Sequence, residues 1–308
     1  MKRLSDIGED SLIERLVHRL DRGGESGDRV VVGPGDDCAV VDVGRPGLYQ
    51  LLKTDSLVEG VHYLAETPAA KVGWKAVARV ISDFAAMGGW PGQLLVTIAM
   101  PADKEVRYVD GLYRGMNKCA AAYGAEICGG ETSSVPDGSA AVISVAGTGW
   151  VKKSRYVTRS GGQVGDLVLV TGKLGGSIKG KHLNFLPRLE ASRWLVDQFR
   201  IRSMMDLSDG LARDLPRLAM ASDCGFLIDK KMIPRNRGCD LSQALGDGED
   251  YELLLTVSRR TAAKLCRDWS HAFPALPLTV IGELTDKASG EALPGQLGGW
   301  SHFSASNG

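Results

Sequence analysis

The sequence predicts an α+β protein of two domains, each a mixed β-sheet with flanking helices. Three observations carry this. Apolar runs of strand length mix with helical periodicities in both halves of the chain, without the regular alternation of a barrel or the fixed period of a repeat. The 308 residues suffice for two cores. A polar stretch at 150–162, containing Lys152-Lys-Ser-Arg155 and Gly161-Gly162, separates the halves and sets expected domains at 1–154 and 155–308.

In order, Leu12, Leu16 and Leu20, with Ile13 and Val17, repeat at helical spacing and predict a helix over 9–20. Gly23 to Gly27 reads as a break, followed by strands at 29–33, 38–43 and 48–54. A helix over 72–87 carries Val77, Ile81 and Ala85 on one face and Lys75, Arg79 and Asp83 on another, polar one. Leu94 to Met100 is a strand, 103–123 a helix closed by Gly124, Ala125 to Cys128 a short strand entering a glycine junction, and Ala140 to Val151 a strand. In the second half, strands are expected at 167–171, 203–207, 226–228, 252–257 and 278–281. Helices are expected near 188–199, from Leu211 onward with Leu215 and Leu218 on one side, and at 260–271.

The 37 basic residues balance 37 acidic ones, which argues against a nucleic-acid or membrane-surface partner. Six cysteines, at 38, 119, 128, 224, 239 and 266, lack metal-finger spacing and read as reduced thiols. The N-terminus lacks the apolar core of a secretory signal and no stretch is apolar enough to span a bilayer, so a cytoplasmic location is expected.

The chemistry-bearing residues are mainly aspartates at strand ends and helix starts. Lys53-Thr54-Asp55 ends an apolar strand, and Asp36-Asp37 precedes it in Gly33-Pro-Gly-Asp-Asp37. With Asp83, Glu131, Asp206 and Asp209 these carboxylates suggest a site for hard cations, which take oxygen ligands and phosphate. Each residue taken alone has an ordinary alternative: Asp83 pairing with Arg79 one turn away, Asp209 capping a helix, Asp36 or Asp37 shaping a turn. Gly129-Gly-Glu-Thr-Ser-Ser134 and Gly33-Pro-Gly35 bring backbone N–H groups within reach of an anion, or are plain turns. Gly175-Gly-Ser-Ile-Lys-Gly-Lys-His182 nearly matches a phosphate-binding P-loop, but His182 stands where a hydroxyl residue is required. Arg159 is either a phosphate contact or a surface arginine at the hinge.

Taken together, several segments resemble thiamine-monophosphate kinases, within the superfamily that includes aminoimidazole ribonucleotide synthetase and selenophosphate synthetase. They are Gly35-Asp-Asp-Cys-Ala39, Lys53-Thr-Asp-Ser-Leu-Val-Glu-Gly-Val-His62, Ile81-Ser-Asp-Phe-Ala-Ala-Met-Gly88, Gly129-Gly-Glu-Thr132, Thr158-Arg-Ser-Gly161, Met205-Asp-Leu-Ser-Asp-Gly-Leu211, Gly248-Glu-Asp-Tyr-Glu-Leu253 and Gly299-Trp-Ser-His-Phe303. The resemblance implies the two-domain aminoimidazole ribonucleotide synthetase-like fold and phosphorylation of thiamine monophosphate by ATP through direct in-line transfer with several Mg²⁺ ions. It implies no covalent or acid–base catalytic residue. Asp37, Lys53, Thr54, Asp55, Asp83, Glu131, Asp206 and Asp209 would hold the metals, Lys53 through its backbone. Gly130, Glu131, Arg159 and Ser208 would contact ATP, and His62, Glu249 and Trp300 the thiamine moiety. A homodimer formed through the N-terminal domains is implied as well. Glu131 stands where the family has aspartate, and Ser133-Ser134 where it has Thr-Arg, which moves one carboxylate by about a bond length and removes a basic group. Activation of another acceptor by the same fold, or nucleotide or thiamine-phosphate binding without catalysis, are the alternative readings.

Overall fold

The computed structural model describes residues 2–20, 29–290, 299–300 and 302–303. The predicted break at Gly23 to Gly27 lies outside them. Helix α1 (Gly8–Val17) ends before Leu20 and buries none of its residues. Then come β1 (Val30–Val32), β2 (Ala39–Val41), β3 (Leu48–Val58), α2 (Ala69–Ala86), β4 (Trp90–Pro101), α3 (Val106–Tyr123), β5 (Glu126–Val135) and β6 (Val142–Lys152). These strands form one sheet in the order β1-β2-β3-β6-β4-β5, antiparallel except for the parallel pair β4 and β5.

Strand β3 alternates as its sequence dictates. Leu51 and Leu57 are buried, with Lys53 and Asp55 on their face, while Leu52, Thr54 and Ser56 lie exposed on the other. The inner face meets α2, whose Val77, Val80, Ile81 and Phe84 are fully buried, each such side chain contributing about 1.5–3 kcal/mol. Helices α2 and α3 cross so closely that a Cβ on Gly73 would stand 2.0 Å from the Leu112 carbonyl oxygen.

The face of α2 that looked polar in sequence is not a solvated one. Lys75 is fully buried and Asp83 only 6% exposed. The reason is position: α2 packs on α3 and β3 on one side and on elements of the second half on the other, so beyond its first turn it has little outer surface to give to water.

Strand β5 departs from expectation in a second way. It does not stop at Cys128 but runs on through Gly129-Gly-Glu-Thr132 as the sheet edge. The glycine serves approach rather than a turn, since a Cβ at Gly130 would lie 1.8 Å from the Val96 carbonyl oxygen of β4.

The second half contains β7 (Leu167–Thr171), α4 (Leu189–Gln198), β8 (Ser203–Asp206), α5 (Leu211–Ala221), β9 (Gly225–Ile228), α6 (Leu241–Gly246), β10 (Leu253–Val257), α7 (Arg259–Ala272) and β11 (Leu278–Thr285). Its sheet runs β8-β10-β7-β11-β9 and is antiparallel throughout. Helices cover both faces, which is why β7 and β10 are apolar on both faces apart from the buried Thr171 and Thr256. Val168, Val170 and Leu254 pack with Leu211, Leu215 and Leu218 of α5, and Leu169, Leu253 and Leu255 with Leu195, Leu265 and Trp269. Helix α6 is an element that periodicity alone does not predict, although Asp240 and Gln243 form the reciprocal cap that marks a helix start.

Candidate active site

Three of the predicted carboxylates converge. Asp37 comes from the loop before β2, Asp83 from the interior of α2, and Asp206 from the end of β8. One oxygen of each lies within 4.8 Å of the others, and all three residues are buried. Each is held by a neighbour. Arg159 reaches Asp37 Oδ1 through Nε at 3.2 Å and also through Nη2. Lys53 Nζ donates to Asp83 Oδ1 at 2.8 Å, and Ser82 Oγ donates to Asp206 Oδ2. Asp37 Oδ2 is buried and accepts no hydrogen bond among the described residues.

The electrostatics of this cluster are those of charges crowded away from water. Burial, then repulsion from Asp37, pushes the Asp206 carboxyl up to about 6. Burial likewise raises Asp83 well above the usual range, with Lys53 opposing. Asp36 is raised to about 6 by burial and by Asp37, although it accepts the Arg159 amide. Burial disfavours the charge of Lys53, but Asp83 and Asp55 outweigh it and keep the ammonium protonated. An all-oxygen set with an unmatched buried lone pair fits a hard divalent cation, which would offset the repulsion and use the free Asp37 oxygen.

The other predicted ligands are disposed around this trio. Asp55 shares the Lys53 face of β3 and pairs with Arg79 at 2.9 Å. The Thr54 side chain points to the opposite face of the strand, its Oγ1 3.5 Å from Ser144 Oγ. Asp209 pairs with Arg217 at 2.5 Å, and its amide donates to Asp214. Glu131 is exposed on the edge strand with Gly130, and its Oε1 accepts the Thr132 amide. The structure therefore gathers Asp37, Asp83 and Asp206, sets Asp55 beside them, and leaves Glu131 apart.

A cleft of about 130 Å³ lies between the two halves, lined by His62, Arg79, Glu249, Tyr251, Trp300 and His302 among others, with Ser208 and Asp209 in its wall. His62 Nδ1 accepts the Val58 amide at 3.0 Å. Burial, then Arg79 and Lys75, lower its pKa to about 3, so the ring is neutral and offers its Nε2 proton. Glu249 is clamped by Lys75, 2.7 Å away, whose ammonium also donates to the His62 carbonyl. Glu249 and Tyr251 both adopt left-handed backbone (φ 52° and 50°), a strained arrangement of the kind that holds side chains at sites. Trp300 is half exposed and anchored by its amide to the Asp209 carbonyl at 3.0 Å. A larger hollow of about 560 Å³, lined by Tyr123, Arg188, Trp194 and Phe273 among others, contains none of the predicted metal-holding carboxylates and opens widely to solvent.

Lys75 and Arg79 share a polar face in the sequence, and both turn inward: Arg79 lines the cleft, while Lys75 is fully buried behind its wall against Glu249; their spacing with Asp83 is the available signal. The near-P-loop at 175–182 proves to be filled by the protein itself. The Gly175 amide donates to both Asp250 oxygens at 3.1 Å, and the Gly176 amide to Asp247 at 2.7 Å.

This fold with its buried carboxylates defines the class. The chain matches the AIR synthase related protein family, the N-terminal domain over residues 35–151 and the C-terminal domain over 172–293. Within that class it belongs to the thiamine-monophosphate kinase family. It is 34% identical over 277 residues to the thiamine-monophosphate kinase of Rhodopirellula baltica, covering 84% of this chain and 85% of the relative. Against the enzyme of Escherichia coli K12 it is 32% identical, covering 92% of each chain. The solved structure of AaThiL complexed with AMPPCP and TMP superposes with a TM-score of 0.81 at 29% identity, over 98% of this chain and 99% of that one. No helix among the described residues is long and apolar enough to cross a membrane.

Proposed function

We propose that this protein phosphorylates thiamine monophosphate at the expense of ATP, giving thiamine diphosphate and ADP by direct in-line transfer. An oxygen of the acceptor phosphate attacks the γ-phosphorus as the bond to the β-phosphate oxygen breaks. Membership of the kinase family supports the reaction, and the observation that carries the site is the buried trio Asp37, Asp83 and Asp206 with its unmatched oxygen.

Bringing two phosphates together is chiefly a problem of charge and alignment, so no covalent or acid–base residue is required. Several Mg²⁺ ions, when bound, would supply neutralisation of the phosphates. One would sit on the trio with Asp55 and the Lys53 backbone beside it, and Asp209, Thr54 and Glu131 would hold others away from it. Arg159, Ser208 and Gly130 would contact ATP, while His62, Glu249 and Trp300 would hold the thiamine moiety. In this reading the side chains position and the cleft excludes water.

The reading carries with it two domains, 1–154 and 155–308, and a cytoplasmic homodimer joined through the N-terminal ones. The outer face of the first sheet, where Leu52 and Leu95 are 40% and 51% exposed, supports that placing of the dimer contact. Purified protein incubated with ATP, Mg²⁺ and thiamine monophosphate tests the reaction by chromatography. Thiamine diphosphate and ADP in equal amounts are expected. ADP formed only with another acceptor, or no turnover at all, would overturn it.

A further inference from the structure

We propose that Arg79 is the side chain that receives the acceptor's phosphate, and so distinguishes a phosphomonoester from the corresponding alcohol. The inference rests on the kinase reading above. A phosphate awaiting phosphorylation must sit where the cation-holding carboxylates meet the cleft that holds the rest of the acceptor. Arg79 touches both. Its Nη2 lies 2.9 Å from Asp55 Oδ1, and its side chain lines the cleft beside His62, Glu249 and Tyr251.

Arg79 also keeps bonding capacity that neighbouring cations have committed. Lys75 is fully buried and spent on Glu249 and the His62 carbonyl. Lys53 holds Asp83, and Arg159 holds Asp37 through two nitrogens. A guanidinium carries five N–H bonds. In Arg79, Nη1 donates to the Ser56 carbonyl at 2.9 Å, Nη2 faces Asp55, and Nε is buried with no hydrogen-bond partner among the described residues. A buried unmatched donor is unfavourable, and an anion with several acceptor oxygens relieves it.

The charge pattern of the cleft agrees. Arg79 is the one arginine or lysine lining it among the described residues, whereas Asp209, Asp247 and Glu249 make other parts of its wall acidic. An acceptor that joins a cationic ring to an anionic phosphate is matched at both ends. Burial opposes the Arg79 charge, but the carboxylates Asp55 and Glu249 favour it, and a guanidinium stays protonated throughout the working range. Its planar fork suits two phosphate oxygens at once.

The test is titration calorimetry with thiamine monophosphate and with thiamine, in Mg²⁺ without nucleotide, on the full chain and on Arg79→Gln and Arg79→Lys. The unsubstituted protein is expected to prefer thiamine monophosphate. Arg79→Gln should lose about 10–100-fold in affinity for the phosphorylated ligand while thiamine binding stays within about twofold. Arg79→Lys retains a charge opposite Asp55 and should lose a smaller factor, about 3–10-fold, because an ammonium cannot bind bidentately. Variants that keep the full preference, or that lose both ligands in equal proportion, would overturn the assignment. Failure of the unsubstituted protein to bind thiamine monophosphate would overturn the kinase reading and this inference with it. Retained binding with an unchanged preference in the variants would overturn this inference alone.

Discussion

Lys53 Nζ lies 2.8 Å from Asp83 Oδ1, so a strand and the interior of a helix share one charge pair directly beneath the carboxylate trio. The lysine acts as a resident counter-ion: without it three carboxylates would crowd a buried space with Arg159 as the main opposing charge. Lys53→Met is therefore expected to lower stability by about 3 kcal/mol in chelator, since removal of one partner strands the other. Mg²⁺ should restore part of the loss. Urea unfolding with and without Mg²⁺ measures both, and a variant as stable as the parent in chelator would show that the pair carries no such role.

Asp55 pairs with Arg79 in a partly buried setting. Asp55→Asn keeps an acceptor there and is expected to keep the fold at a cost of about 1–2 kcal/mol, while turnover falls at least about 100-fold, the scale seen when one charge-stabilising group is lost. Steady-state assays beside circular dichroism decide it. Near-normal turnover would remove Asp55 from the mechanism.

Asp250 offers a titration away from the carboxylate trio. It is 2% exposed, and burial pushes its carboxyl up to about 7, with Lys181 and the Gly175 amide opposing. The folded value lies above the unfolded one, so the folded state holds the proton more tightly. The resulting stabilisation is fully present below about pH 4 and is lost as pH rises towards 7. Asp250→Asn keeps an acceptor for the Gly175 amide and removes the titration. Its stability relative to the parent should climb between pH 4 and 8, by about 1.4 kcal/mol per unit of the shift removed. Unfolding curves for the two proteins that stay parallel across this range would contradict the assignment.

Gly130 has no room for a side chain, since a Cβ would meet the Val96 carbonyl oxygen at 1.8 Å. Gly130→Ala should cost about 1–3 kcal/mol by forcing the edge strand away from β4. It should also shift Glu131 beside it. Denaturant unfolding checks the first effect; an unchanged midpoint would mean that the strand yields freely.

The order of strands and helices was legible because apolar runs of strand length stand apart from helical periodicities, as in β3 and α5. What stayed hidden was the environment of α2. Lys75, Arg79 and Asp83 share a face in any helical reading, but periodicity cannot tell a solvated polar face from one buried between two sheets. The trio was visible only as separate aspartates: Asp37, Asp83 and Asp206 are far apart in sequence and meet through tertiary packing. The glycine pair at 129–130 suggested a turn because sequence shows the absence of a side chain and not what approaches it. Lys53 was expected to act through its backbone, and nothing local marked its ammonium as a partner for Asp83.

Asp37 and Asp83 belong to the half that builds the six-stranded sheet, whereas Asp206 ends a strand of the other sheet. An ion gripped by all three would thus be a fastener between halves as well as a reagent. Cation binding to the native arrangement alone deepens its stability logarithmically with free concentration. The free concentration of the divalent ion would then govern how tightly the molecule is closed, coupling mechanical integrity to readiness for turnover through a single occupancy.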